Sequence, residues 1–258
     1  MKRWRLISYS TYDAFYNMAI DEAVATCVSD GISPPTLRFY GWSLPSVSIG
    51  AFQRVDCVDH RWCALNGVAV VRRPTGGRAV VHNNELTYCF ASNFSNGFTK
   101  SVLNNYKIVN AVFHKSLRRL GLEVDFIEGR LNRQGLLLSS LCFAATSYGE
   151  VSAFGKKVIG AAQKRLANGF IEQGSIPLSV DRELVSKTLK VDETQDVLVG
   201  LLELSGKVNL SELTQTIRDN FEESFGITFD PSGLTPEEDL LVQQFLLKYQ
   251  GYEWTHRR

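Results

Sequence analysis

The chain has 258 residues, of which 44% are hydrophobic and 21% charged, with a formal net charge of +1. A chain of this length buries about three quarters of its unfolded surface, so it needs no metal or disulfide staple to hold a core. The composition excludes a disordered, collagen-like or repeat-only polymer, and no run approaches the roughly 20 apolar residues of a membrane-spanning helix.

The N-terminus, Lys2-Arg3-Trp4-Arg5, lacks the apolar core of a signal peptide. Short strand-like runs follow. Arg5–Ser8 is the first, and Thr36–Tyr40 alternates apolar and polar positions, as does Ser46–Ile49. Val68–Val71 reads as a buried strand, Ala79–Val81 follows a glycine turn, and Leu86–Phe90 and Leu122–Phe126 complete the set. Two helices interrupt them. Residues 14–28 place Phe15, Ala19, Ala23 and Cys27 on one face, and residues 101–120 do the same with Tyr106, Val109, Phe113, Leu117 and Leu120 before a stop at Gly121. Runs this close together, joined by turns, predict an α+β fold with a mostly antiparallel sheet flanked by helices.

The last 78 residues change character. Residues 1–180 hold 20 Lys/Arg against 12 Asp/Glu, whereas residues 181–258 hold 8 against 15. Asn209 and Glu212 open one helix, and Thr235-Pro236-Glu237-Glu238 opens another with proline at its first position. The sequence therefore divides into a catalytic domain, 1–180, and a helical extension, 181–258. The basic part lacks the dense Lys/Arg helix or aromatic stretch of a nucleic-acid protein, but its sign suits an acidic partner.

Three segments carry chemistry. In Arg72-Arg73-Pro74-Thr75-Gly76-Gly77-Arg78-Ala79-Val80-Val81-His82-Asn83-Asn84-Glu85, paired glycines permit close backbone approach and arginine forks suit carboxylates or phosphates. The same segment also reads as a plain β-hairpin with a solvated basic turn. Five cysteines, Cys27, Cys57, Cys63, Cys89 and Cys142, show no CxxC pair, so neither disulfide framework nor zinc knuckle is expected and the setting reads as cytoplasmic. Cys142, among small and polar residues in Leu141–Tyr148, is the nucleophile candidate by elimination. Gly155-Lys156-Lys157-Val158-Ile159-Gly160 reads as a hairpin turn that sends its lysines to opposite faces: an inward lysine would polarise a carbonyl, whereas two turn lysines would sit in water. Of the four histidines, only His82 falls within a candidate site.

Taken in order, these segments resemble the biotin/lipoate A/B protein ligase superfamily. Tyr16–Ala23 is similar to its first helix, Pro35–Trp42 and Val47–Gly50 to its early strands, Arg72–Glu85 to its lipoyl-binding signature, Gly155–Gly160 to its lysine signature, and Gln173–Ile176 to the closing element. Within it, Cys142-Phe143-Ala144-Ala145-Thr146-Ser147 resembles the loop of the cysteine-dependent octanoyltransferases, with Thr146 where that loop has proline. ATP-dependent ligases carry a third glycine where this chain has Arg78.

The resemblance implies an antiparallel sheet with helices on its outer face. It also implies transfer of an octanoyl group from octanoyl-acyl carrier protein to a lysine of a lipoyl-domain protein, the glycine cleavage H protein or a 2-oxoacid dehydrogenase E2. Cys142 would carry the acyl thioester and Lys157 would stabilise thiolate and oxyanion. Arg73, Gly76, Gly77, Arg78, His82, Gly160 and Ala161 would bind the substrate, with Val70, Val80 and Ala161 lining an apolar tunnel. Neither metal nor nucleotide is called for, because a thioester is already activated. The rival readings are an ATP-dependent lipoate ligase, an octanoyl amidotransferase acting between lipoyl domains, and a non-catalytic acyl-binding relative.

Overall fold

The computed structural model describes residues 2–127, 149–191 and 198–257. In chain order the elements are β1 (Lys2–Tyr12), α1 (Ala14–Ser29), β2 (Thr36–Trp42), β3 (Ser46–Ile49), α2 (His60–Leu65), β4 (Ala69–Arg72), β5 (Val80–His82), β6 (Glu85–Asn93), α3 (Val102–Arg119) and β7 (Asp125–Phe126). There follow β8 (Val151–Ala153), β9 (Lys156–Lys157), β10 (Gly160–Arg165), β11 (Gly169–Pro177), α4 (Arg182–Leu189), α5 (Leu201–Ser205), α6 (Leu210–Phe225), β12 (Ile227–Pro231), α7 (Pro236–Gln250) and α8 (Tyr252–His256).

The large sheet has the order β10-β11-β6-β2-β1-β12. Its β10, β11, β6 and β2 pair antiparallel, whereas β1 lies parallel to both β2 and β12. A helical layer covers each face. Leu37, Phe39, Leu86, Tyr88 and Phe90 point towards α3 and α6, with Val109, Phe113, Ile217 and Phe221 in the same core. The alternate residues Tyr40, Cys89 and Ala91 point towards α1 and α7. The alternation in Thr36–Tyr40 thus marks two buried faces, not one wet face. Arg38, 1% exposed, is accommodated because Asp21 of α1 meets it at 2.5 Å and the Asn17 side chain at 2.6 Å.

Local chemistry sets the helix ends. Asp13 caps α1, accepting from the amides of Phe15 and Tyr16. Gly121, at φ +80°, ends the α3 segment as its sequence suggests. Thr235 and Glu238 close a reciprocal capping box on α7, and Glu238 also takes Arg5 of β1 in a buried ion pair. Among its described residues the tail holds α4 to α8 and one strand, β12, which the sequence does not lead one to expect.

The small sheet corrects the hairpin reading of Arg72–Glu85. Its order is β4-β3-β5, so β4 and β5 do not pair with each other; β3 lies between them, parallel to β4 and antiparallel to β5. The third sheet is the meander β7-β8-β9, turned between its last strands by Phe154 and Gly155, both at positive φ. No helix among the described residues is long and apolar enough to cross a membrane.

Candidate active site

The small sheet and the β10–β11 end of the large one enclose a cleft of about 340 Å3, its open mouth included. Met18, Val80, Ala161 and Ala162 give it apolar wall, and Ser48, Arg73, His82 and Gln173 add polar groups. Of the substrate-binding residues expected from the sequence, Arg73, His82, Gly160 and Ala161 meet here. Val80 also lines the cleft, whereas Val70 packs into the separate core formed by Val47, Ile49 and Cys63.

Arg73 does not offer its fork to a ligand in this arrangement. One terminal nitrogen donates to the Ser48 carbonyl at 3.0 Å and the Ser48 hydroxyl at 3.2 Å. The other donates to the carbonyls of Gly76 at 2.6 Å and Arg78 at 2.7 Å. Arg73 therefore holds the glycine turn against β3. Its neighbour Arg72 is wholly buried and ties the carbonyls of Gly50, Gln53 and Thr255 together, which fastens α8 to the small sheet. The expected solvated basic turn is thus wrong for Arg72 and Arg73, because orphan backbone carbonyls claim both guanidiniums.

Gly76, Gly77 and Arg78 stand at the turn beside the cleft and are not among its lining residues. Gly77 adopts φ +85°, a region that favours glycine. A Cβ on Gly50 would lie 1.9 Å from the Gly77 carbonyl, so that turn sits directly on Gly50. Space around Gly76 is open.

His82 stacks on Trp42, with centroids 3.9 Å apart and planes 13° from parallel. Its Nδ1 is 2.8 Å from Glu85 Oε1 and its Nε2 is 2.7 Å from the Ser48 hydroxyl. Burial pushes the Glu85 carboxyl up, but His82 and hydrogen bonds from His82, Thr87 and Ser175 outweigh it, leaving the group below the usual carboxylate range. Behind this row, Thr75 donates to Gln173 at 2.8 Å, and Gln173 donates to Asp21 at 2.7 Å. The glycine turn, the cleft wall and the Arg38–Asp21 pair are therefore one network. Sequence reasoning missed Ser48 and Asp21 as site residues and left Glu85 and Gln173 without roles, although both lay inside quoted motifs.

The lysine hairpin splits its lysines as expected. Lys157 is 2% exposed and donates to Glu150 at 2.6 Å, while Lys156 is half-buried. Lys157 is not a lining residue of the cleft, and Glu150 Oε2 is buried without a partner. Cys142 lies outside the described residues. Every described cysteine is poorly disposed to ionise, since burial pushes Cys27 and Cys57 up, Cys63 to about 11 and Cys89 well above the ordinary thiol value.

The two-faced sheet and the cleft at its β10–β11 end have the architecture of the lipoate-protein ligases. The lipoyl protein ligase A/B catalytic domain model matches residues 13–223, and the chain belongs to that family. It is 37% identical to octanoyltransferase LipM of Kyrpidia tusciae over 100% of both chains, and 35% identical to octanoyltransferase LipM of Clostridioides difficile over 100% of both. Among solved structures, a lipoate-protein ligase A bound with ATP superposes with a TM-score of 0.84 at 26% identity, covering 99% of each chain. A bipartite lipoate protein ligase from Thermoplasma acidophilum, described with its E2 lipoyl domain, reaches 0.81 at 25% identity over 99% of this chain and 97% of that one.

Proposed function

We propose that the protein is an octanoyltransferase of lipoate biosynthesis. It moves an octanoyl group from octanoyl-acyl carrier protein to a lysine of a lipoyl-domain protein, the glycine cleavage H protein or a 2-oxoacid dehydrogenase E2. The observation that carries this reading is the full-length likeness to octanoyltransferases at 37% and 35% identity. The cleft supports it: its apolar wall suits a medium acyl chain, and Arg73, His82, Gly160 and Ala161 line it.

The chemistry is two acyl transfers. The Cys142 thiolate attacks the donor thioester carbonyl, the carrier leaves as its thiolate and takes a proton from water, and an octanoyl thioester remains on Cys142. The neutral amine of the acceptor lysine then attacks that carbonyl, the Cys142 thiolate leaves, the nitrogen gives up one proton to water, and an amide forms. Lys157 stabilises the thiolate and the developing oxyanion, and its contact with Glu150 at 2.6 Å holds its amine in place. Arg73 holds the glycine turn that shapes the acyl site.

The test is intact mass after incubation with octanoyl-acyl carrier protein and no ATP. One octanoyl adduct is expected in the native protein, absent in Cys142→Ala and discharged by a lipoyl domain. The likeness to an ATP-bound lipoate-protein ligase favours a second reading, adenylation of a free acid. Modification of a lipoyl domain by free octanoate or lipoate, dependent on ATP and with no enzyme adduct, would select that reading instead.

A further inference from the structure

The cleft wall holds a hydroxyl with nucleophile chemistry. Ser48 lies on β3, 1% exposed, and faces the cleft beside His82. Its Oγ is 2.7 Å from His82 Nε2, and His82 Nδ1 is 2.8 Å from Glu85 Oε1. Trp42 donates to the same carboxylate oxygen at 3.1 Å, and Ser175 donates to the other at 2.8 Å. A carboxylate so surrounded by donors only accepts, so Nδ1 carries the hydrogen. In the neutral ring Nε2 is then the acceptor, and the Ser48 hydroxyl donates to it. The Trp42 stack fixes the ring plane, and Arg73 stands 3.2 Å from Ser48 Oγ, a cation placed where negative charge on that oxygen would grow. Hydroxyl, imidazole and carboxylate thus follow one another in the order that activates a serine, and such a set is recognised by geometry and roles, not by chain position.

We propose that Ser48 is a second acyl-accepting nucleophile, activated by His82, which gives the protein a slow hydrolase activity on medium-chain acyl esters and thioesters. Ser48 Oγ attacks the acyl carbonyl and its proton passes to His82 Nε2. The bond to the alcohol or thiol breaks, and the leaving group takes the proton from His82. Water then attacks the Ser48 ester while His82 accepts its proton. The ester bond breaks, Ser48 regains a hydrogen, and the free acid departs. Glu85 and Trp42 are positioning residues. The inference borrows from the proposed function only that the cleft accepts an octanoyl chain; it does not require Cys142.

The experiment uses full-length Cys142→Ala protein with p-nitrophenyl octanoate, read by p-nitrophenolate release, intact mass and peptide mapping. One octanoyl group is expected on Ser48, stable to neutral hydroxylamine as an oxygen ester. Release should fall about a hundredfold when Ser48→Ala is added, the low end of what a positioned general base contributes. Ser48→Cys in the same background should move the adduct to a hydroxylamine-labile thioester at the same position, which keeps the test open if loss of the hydroxyl disturbs packing. No acyl group at residue 48 in either form, with octanoate still raising the Tm, overturns the proposal and leaves the octanoyl reading standing. No acyl group at residue 48, together with no loading of the native protein by octanoyl-acyl carrier protein, overturns both.

Discussion

The two faces of the large sheet solve burial in opposite ways. Towards α3 and α6 the packing is aromatic: Trp4, Phe90, Phe98, Phe113, Phe221 and Phe229 form one connected cluster of rings. Towards α1 and α7 the same strands present Arg38, Tyr40 and Gln173 to Asp21, and Arg5 to Glu238. The second network reaches the cleft, where Tyr40 and Gln173 are lining residues, and Thr75 ties it to the glycine turn. The contrast separates a face that holds the fold from a face that also aims the site.

Two truncations test that separation, and they carry the largest effects. Phe221→Ala on the aromatic face should cost about 3–5 kcal/mol of stability through lost contacts and a cavity, yet leave acyl loading intact at temperatures well below its Tm. Asp21→Ala should cost a similar amount, about 3–5 kcal/mol, because Arg38 is left charged, buried and unpaired. It should also slow acyl loading, since Gln173 loses its anchor and Thr75 its register. Denaturation midpoints paired with loading rates read both. Equal loss of loading in the two variants would erase the distinction between the faces.

Glu172 sharpens the comparison, because it is a carboxyl set into the aromatic face. Tyr88 donates to it at 2.8 Å and Gln163 at 2.6 Å, and burial pushes it up to about 8 against that help. Asp21 meets a guanidinium; Glu172 instead keeps its proton at neutral pH. The folded value lies above the unfolded one, so the neutral form's stability is fully present below about pH 4.3 and is lost as pH rises towards 8. The loss is on the order of 3–5 kcal/mol at the alkaline end. Glu172→Gln should flatten that slope in chemical denaturation from acid to alkaline pH, and it should be the more stable protein above about pH 8. An unchanged slope would mean that Glu172 is ionised when folded.

How much of this was legible depends on whether the deciding partner lies near in sequence. The α1 and α3 boundaries, the αL stop at Gly121 and the Thr235–Glu238 box are local, and the chain announced them. Strand β12 was missed because Ile227–Pro231 holds five residues, two of them Asp230 and Pro231, and is a strand only because β1 pairs with it across the chain. The signature pointed to Arg73 and His82 through residue type. It could not say that Arg73 serves carbonyls, or that the Ser48 hydroxyl meets His82, because β3 enters between β4 and β5 from earlier in the chain. Likewise Lys156 and Lys157 were separable by period-2 alternation, whereas Glu150 as the partner of Lys157 follows only from the β8–β9 pairing.

The smallest effect comes from the turn that makes that pairing. Phe154 holds φ +51° with its side chain 80% exposed, and Gly155 follows at φ +75°. Both central residues at positive φ describe the two-residue turn whose twist suits a hairpin, for which Asn-Gly is the favoured pair. A phenylalanine there carries left-handed strain and buries almost nothing in return, so Phe154→Asn should stabilise the protein by about 1 kcal/mol. That gain would be local: the Phe154 ring is exposed and the turn is not part of the cleft lining, so loading through the cleft and the Glu172 slope should not move. A destabilised Phe154→Asn protein would show that the ring has a partner on the surface worth more than the strain, and the pairing of Lys157 with Glu150 would then have to be credited to that contact as well as to the turn.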